Sequence, residues 1–416
     1  MNIIIISPEF PPKTNWGGIA TFNKNLAKLL SSLDNKVHVI TFDGEGANEI
    51  LDHQDNISIH YVRFKTNYKL INFLYYRFPF GVIRFAMKKY LPSLLFAFDW
   101  NIFALFLFRK LHKKYSFKLI FSPTYHIPSL LISSIYSNIP TVLHVQGPQE
   151  ELNQFERVNL DTKIKSWLEN QYMIKFSKKI VACSKYLHKK ISKRIPQIRH
   201  KFVYIHNFID TKEYLNSQKQ DINNLVFLGR LEYRKGVDLL IEAFVKLTKK
   251  NKELKLWLIG EEGGYFPVGG KLLSFNDWFN LLKIKDEIKN NIYFFNRIDH
   301  RNLLIKLLTM LKGIAVFPSR YEPFGFVNIE AMAIGYIAIS SYRGAATEII
   351  NDKVDGFIIY PNLKSVYSTI KKILDFSELE INRISNEAKL KVKSKFDILK
   401  VKKDFSKIIN EVIKKT

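Results

Sequence analysis

The sequence predicts an α/β protein of two facing Rossmann-like domains with a deep interdomain cleft. Three observations carry this: a length of 416 residues, apolar strands alternating with helical stretches, and a polar break near 207–220 after which the alternation restarts. A chain of that length exceeds the size at which single cores stop growing, so two domains of about 200 residues are expected. Repeated strand–helix–strand units imply a parallel sheet covered by helices on both faces. Ligands of such sheets bind beyond the carboxyl ends of the strands, and two facing halves place them in the cleft.

Residues 2–6 form an apolar run that leads through a loop containing Pro and Gly to Gly18. Helical periodicity follows over 19–33 and another strand over 36–41. Further strands are expected at 119–122, 141–145 and 179–182, with helical stretches between them. The second series opens at 224–228 and continues at 254–259, 291–294, 313–317 and 336–340. The expected division is 1–206 for the first domain, 207–220 for the linker, 221–395 for the second domain and 396–416 for a Lys-rich amphipathic helix. That last helix either packs back towards the first domain, which is the expectation, or touches a membrane.

Hydrophobic residues make up 47% of the chain and aromatic ones 14%, enough for sizeable cores and too many for extended disorder. The single cysteine, Cys183, excludes an intrachain disulfide. Following Ile180, Val181 and Ala182, it reads as a buried structural thiol in a reducing compartment. The N-terminal strand carries no basic leader or cleavage site, so a cytoplasmic protein is expected. The longest apolar stretch, 91–108, is interrupted by Asp99 and Asn101. A charge at mid-span is costly in a bilayer, so a buried or surface-lying helix is expected there.

The formal net charge of +26 points to anionic partners, namely nucleic acid, acidic lipid or phosphorylated substrates, or else to a generally solvated basic surface. Between 61 and 110, Phe, Tyr and Leu interleave with Arg and Lys, as at Tyr75, Tyr76, Arg77 and Phe78 and at Arg84, Phe85, Lys88, Lys89 and Tyr90. This suits either an anionic membrane surface, with the protein peripheral on its inner face, or ordinary helix packing. No zinc spacing, recognition-helix pattern or RNA-binding aromatic motif accompanies the charge, so no nucleic-acid partner is expected.

The most informative segment is 316–333. An apolar strand runs through Pro318, Ser319, Arg320, Tyr321, Glu322, Pro323, Phe324 and Gly325 into a helix of small residues beginning near Phe326. Backbone N–H groups around Phe324, Gly325 and Phe326, with the positive end of the helix dipole, make an anion site suited to a diphosphate. Glu322 precedes that helix and Glu330 lies one to two turns into it. One carboxylate can face a sugar, and the other can accept hydrogen bonds from vicinal hydroxyls such as those of a ribose.

The segment resembles the signature of retaining glycosyltransferases of family 4, whose GT-B architecture has two facing Rossmann-like domains. Other stretches are similar to that family. Gly17 and Gly18 stand where a glycine pair after the first strand meets the donor phosphate and sugar. The run 227–244 resembles the basic pair at the start of the second domain, so Arg230 and Lys235 are expected to hold the donor's two phosphates. A strand-to-helix loop presents both cations at the carboxyl edge of the sheet, where a leaving diphosphate gains negative charge. The segments 258–261, 344–348 and 355–357, and Ser184 with 207–210, are also similar to family segments.

Two departures accompany the resemblance. Where the family often shows His-Gly, this chain reads His144, Val145, Gln146, Gly147 and Pro148, so either His144 is the active-site histidine, Gln146 has replaced it, or His144 is an ordinary core residue. The stretch 262–285 is longer than the usual connection and is expected to be a local elaboration.

The resemblance implies transfer of a sugar from a nucleotide-diphosphate sugar to a glycan or lipid-linked acceptor, with retention at the anomeric carbon. Glu322 would steer the sugar hydroxyls and His144 would contact the sugar. No Asp-x-Asp triplet or metal-ligand cluster occurs, so neither a metal nor a cofactor is expected. Acceptor specificity is expected within 61–110. The rival readings are a sugar phosphorylase or nucleotide-sugar epimerase on the same architecture, a donor-binding protein without catalysis, and a basic nucleic-acid-binding protein.

Overall fold

A computed structural model of the chain describes residues 1–14, 17–42, 53–54, 56–62, 80–155, 158–214, 220–296, 298 and 301–414. Asn15 and Trp16 of the first glycine loop, the aromatic and basic stretch 63–79, which includes Arg77, and 215–219 of the expected linker lie outside the described residues. The chain divides into two compact units. Unit 1 comprises 1–183, 188–205 and 401–416, and unit 2 comprises 184–187 and 206–400. Both are parallel α/β sheets, the Rossmann-like architecture expected from the alternation.

Unit 1 holds β1 (Asn2–Ile6), β2 (Lys36–Phe42), β3 (His53–Gln54), β4 (Ile57–Val62), β5 (Leu119–Pro123), β6 (Thr141–Val145), β7 (Lys179–Ala182) and β8 (Phe202–Tyr204). They form one sheet in the order β3-β4-β2-β1-β5-β6-β7-β8, antiparallel only at β3. Ile3, Ile4, Ile5 and Ile6 of β1 are all fully buried, as a strand covered on both faces requires. Against the sheet pack α1 (Gly18–Ser31) and α3 (Pro92–Tyr115), the latter preceded by α2 (Phe80–Tyr90). The interrupted apolar stretch is thus a helix of a globular unit, with Trp100 fully buried and its indole N–H donating to Pro128 O at 2.8 Å. Asp161, at the start of α4 (Leu160–Phe176), accepts from the N–H groups of Ser93 and Leu94, two donors that the first turn of α3 leaves without helical partners.

Unit 2 holds β9 (Asn224–Leu228), β10 (Lys255–Ile259), β13 (Ile292–Phe295), β14 (Ile314–Phe317), β15 (Ile337–Ser341) and β16 (Phe357–Ile359), in the order β13-β10-β9-β14-β15-β16, all parallel. The expected elaboration after β10 contains a small antiparallel hairpin, β11 (Phe266–Val268) and β12 (Lys271–Leu273). Phe266 anchors it by stacking on Trp278 at 4.8 Å. The helices α5 (Val237–Leu247) and α6 (Phe326–Ile334) follow β9 and β14. They are followed by α7 (Leu363–Leu374) and α8 (Glu378–Lys395).

The C-terminal helix α9 (Ile398–Lys414) buries Val401, Phe405, Ile408, Ile409 and Val412, an apolar stripe at helical spacing. Its residues from 401 onward belong to unit 1, where Phe405 meets Phe121 and Glu411 pairs with Lys179 at 2.9 Å. Tyr214, in the expected linker, is instead part of unit 2 and donates its hydroxyl to Glu330.

Strand order places a topological switch point in each sheet. In unit 2 the chain leaves β9 for β10 on one side and returns to β14 on the other, so the loops after β9 and β14 diverge from adjacent strands. A crevice beyond the carboxyl ends is favoured at that point for a ligand. In unit 1 the corresponding strands are β1 and β5.

Candidate functional site

The loops after β9 and β14 carry the residues singled out from the sequence, and a set of charged bonds ties these loops together. Arg234 pairs with Glu232 and donates from its guanidinium to Tyr321 O at 3.2 Å. Arg230 stands on the same carboxylate, 3.6 Å from Glu232, and is half exposed. Lys235 Nζ meets Glu322 Oε2 at 2.5 Å, with each side chain only 17% exposed. Arg320 clasps Asp238 of α5 with both terminal nitrogens, at 2.8 and 2.6 Å, and lies 3.6 Å over the Tyr233 ring. The structure thus gathers Arg230, Lys235 and Glu322 into one charged cluster at the switch point. Glu232, Arg234, Arg320 and Asp238, which sequence reasoning did not single out, brace it.

Glycines set the path of the β14 loop. Gly325 caps α6 at φ 92°, and a Cβ there would lie 2.5 Å from Asn328 Nδ2. Gly344, after β15, has φ 130°, and a Cβ there would lie 1.8 Å from Glu322 O, so the Glu322 backbone can sit where it does only against glycine. Glu322 N–H donates to Arg343 O at 3.0 Å and Ala345 N–H donates to Glu322 O at 3.2 Å, which fixes this carboxylate-bearing residue on both sides.

Phe324 and Phe326 are buried, Phe324 with its ring near His206, Phe396 and Phe326. Their rings are anchors, so what they can offer a ligand is backbone N–H at the start of α6, where the helix dipole is positive. Asn328 in the same first turn is 1% exposed, and neither its amide nitrogen nor its oxygen has a partner. Glu330 is buried deeper in α6 and accepts from Tyr214 Oη at 3.2 Å.

Electrostatics favour the charged form of Glu322, whereas burial, with Arg234 beside it, pushes the Lys235 ammonium down from the ordinary lysine range against the pull of Glu322. Burial pushes the Glu322 carboxyl up, but Lys235 and Arg234 outweigh it and hold the group below the ordinary carboxylate range. A second carboxylate, Glu348, accepts from the N–H groups of Lys185 and Tyr186 at 2.8 and 2.6 Å and meets His206 Nε2 at 2.7 Å. Burial opposes its charge, and the bonds from His206, Lys185 and Tyr186 overcome that and lower it. Glu348 closes the family-like segment 344–348, but nothing in the sequence shows its partners, which lie more than 140 residues away.

In unit 1, Gly17 caps α1 at φ 145°, and a Cβ there would meet no atom of the described residues within 4 Å. Gly18 begins that helix. His144 lies in β6, paired in register with Pro123 of β5, and is 1% exposed against Phe22. Neither of its ring nitrogens has a hydrogen-bond partner. Burial pushes the imidazole down to about 3, so the ring is neutral at physiological pH. Gln146 is half-buried, and its backbone oxygen receives the Cys183 thiol at 3.8 Å.

The His144 shift predicts a pH effect. Below about 6.5 an unfolded chain takes up a proton that the folded ring refuses, so stability falls by about 1.4 kcal/mol per pH unit until pH nears the folded value. Urea titrations at pH 7 and 5 should show wild type losing about 2 kcal/mol more than His144→Asn over that interval. Equal losses would place the imidazole in contact with water.

Residues 16–213 match the model of Glycosyltransferase Family 4, and residues 210–391 match that of Glycosyl transferases group 1. The chain carries the two domains of a GT-B glycosyltransferase. Glycogen synthase of Mycobacterium tuberculosis is 26% identical over 238 residues, covering 56% of this chain and 53% of that enzyme. The chain spans about half the length of the curated relatives it matches in this way. Among solved structures, sucrose-phosphate synthase from Thermosynechococcus elongatus superposes with a TM-score of 0.74 at 16% identity, covering all of both chains. The Anabaena protein HepE in complex with UDP-glucose superposes with a TM-score of 0.67 at 17% identity, covering 99% of this chain and 100% of that one. These likenesses establish the GT-B fold for this chain. Among the described residues no group of three or more His, Cys, Asp or Glu could hold a metal ion.

Proposed function

We propose that this glycosyltransferase moves a sugar from a nucleotide-diphosphate sugar to a glycan or lipid-linked acceptor, without a metal and with retention at the anomeric carbon. The observation that carries the reading is the Lys235–Glu322 pair at the switch point of unit 2, beside Arg230 and the start of α6. Two cations and a positive helix end are suited to a diphosphate, and a carboxylate among them is suited to sugar hydroxyls. When the bond between the anomeric carbon and the diphosphate oxygen breaks, negative charge builds on the leaving group. Donors fixed in advance around that oxygen stabilise the charge without reorganising.

In this reading Arg230 and Lys235 bind the two phosphates, with the N–H groups of Gly325 and Phe326 completing the cradle behind Phe324. Lys235 then exchanges part of its bond with Glu322 for phosphate, which frees the carboxylate to orient the sugar. Glu330 receives the ribose hydroxyls. In unit 1, the start of α1 at Gly17 and Gly18 accommodates phosphate or sugar, and His144 offers a neutral ring nitrogen to a sugar hydroxyl. A ring with a pKa near 3 orients by hydrogen bonding and does not act as a general base at pH 7.

The test is a screen of UDP-, ADP- and GDP-sugars for thermal stabilisation, followed by transfer assays and NMR assignment of the product anomer. A bound donor at 100 times its Kd stabilises by about 2.7 kcal/mol, a readily measured shift. The reading fails if no nucleotide sugar stabilises the protein or if the product anomer is inverted. Glu330→Ala is expected to weaken UDP, ADP or GDP binding by about tenfold through loss of charge-assisted bonds, while leaving inorganic pyrophosphate binding unchanged. A parallel loss of pyrophosphate binding would assign Glu330 to the fold of the loop rather than to the ribose.

A further inference from the structure

We propose that the α2–α3 face of unit 1 docks on an anionic phospholipid surface. The proposal rests on this face alone and is independent of the donor site. Residues 80–115 contain seven Lys or Arg against one acid, Asp99, and that acid is buried. Large apolar side chains stand outward among the cations. On α2, Val82 is 59% exposed, Phe85 74% and Tyr90 64%; on α3, Phe98 is 45% exposed and Phe106 46%. Isolated exposed apolar residues are ordinary, but these five lie on two helices packed against each other.

Helical spacing sorts them. On α3, Phe98, Ile102, Phe106, Arg109 and Lys113 recur every three or four residues, so one outward stripe runs from aromatic to cationic. On α2, Val82, Phe85 and Lys89 share a face in the same way. Lys110, Lys113 and Lys114 are exposed at the end of α3, and Lys89 lies 5.2 Å over the Tyr90 ring. Aromatic side chains beside cations whose long stems reach past them match a headgroup boundary, with apolar rings below the phosphates and ammonium groups among them. Among the described residues no helix is long and apolar enough to cross a membrane, so the mode that fits is surface contact. Charge complementarity selects the occupant, because the exposed Lys88, Lys89, Arg109, Lys110, Lys113 and Lys114, with no exposed acid among the described residues of the two helices, repel a second copy of the same face.

The test is flotation of the full chain with vesicles of phosphatidylcholine alone and of phosphatidylcholine with about one-third phosphatidylglycerol. Binding is expected only to the anionic vesicles and should weaken as salt rises. Two patch variants, Phe85→Glu with Phe106→Glu and Lys113→Glu with Lys114→Glu, should each lower partitioning at least about tenfold. The control, Lys371→Glu with Lys372→Glu on α7 of unit 2, makes the same charge change elsewhere and should retain binding. All substituted side chains are exposed, and melting curves verify that each variant folds. The proposal is overturned if anionic vesicles do not bind, if the control loses as much as the patch variants, or if the chain is a dimer that Phe85→Glu with Phe106→Glu dissociates.

Discussion

Replacing Lys235 with alanine is expected to weaken nucleoside-diphosphate binding by about 100-fold and to destabilise unit 2 at the same time. The two effects share a cause. In the folded protein Lys235 is the counter-ion of Glu322, 2.5 Å away, and both groups are largely buried. Removing the ammonium leaves a carboxylate with its desolvation penalty and a weaker set of compensating charges. Breaking a buried pair from one side costs about 3–5 kcal/mol, and with one-sixth of each side chain exposed the lower end applies. Lost affinity follows from losing a charge-assisted phosphate contact, worth about 1.5–3 kcal/mol. The double variant Lys235→Ala with Glu322→Gln separates them: urea midpoints should recover most of the stability, while calorimetric affinity for UDP, ADP or GDP stays low. Recovery of both would mean that Lys235 serves the fold and not the ligand.

Glu322→Gln is expected to move binding and turnover in opposite directions. Turnover should fall by about 100- to 1,000-fold, the range typical for loss of one preorganised polar contact in an active site. Affinity for a bare nucleoside diphosphate should hold or rise, because Lys235 no longer shares its charge with a neighbouring carboxylate. Initial rates with a donor identified by the screen, together with calorimetry of the diphosphate product, give both numbers. Unchanged turnover would remove Glu322 from the reaction, and a fall in diphosphate affinity would show that its charge braces the loop.

Much of this architecture was legible because it rests on local pattern. Buried parallel strands read as uninterrupted apolar runs, so β1, β6, β7 and β9 have the bounds that the sequence indicated. β16 and β8 are three residues each and the hairpin strands β11 and β12 are equally short, too brief for periodicity to mark. The strand–glycine–helix passage at 314–334 was visible for a different reason: its turn needs Gly325 at positive φ.

What could not be read was pairing at long range. Lys235 and Glu322 are 87 residues apart, as are Arg234 and Tyr321, and Glu348 reaches back to Lys185, Tyr186 and His206. Spacing along one sequence carries no information about such contacts. Glu322 read as a carboxylate facing a sugar, whereas the structure gives it a cationic partner first. On sequence His144 was the candidate and Gln146 its alternative, and their positions differ: His144 lies inside the strand with two unpartnered nitrogens, and Gln146 lies just past its end.

The central claim is that the loops after β9 and β14 form a diphosphate cradle. A crystal structure of the full chain soaked with UDP, ADP or GDP tests it most directly. Phosphate oxygens are expected within hydrogen-bond distance of Lys235 Nζ, the Arg230 guanidinium and the backbone N–H of Phe326. Nucleotide bound with its phosphates elsewhere, and Lys235 still holding Glu322 alone, would contradict it.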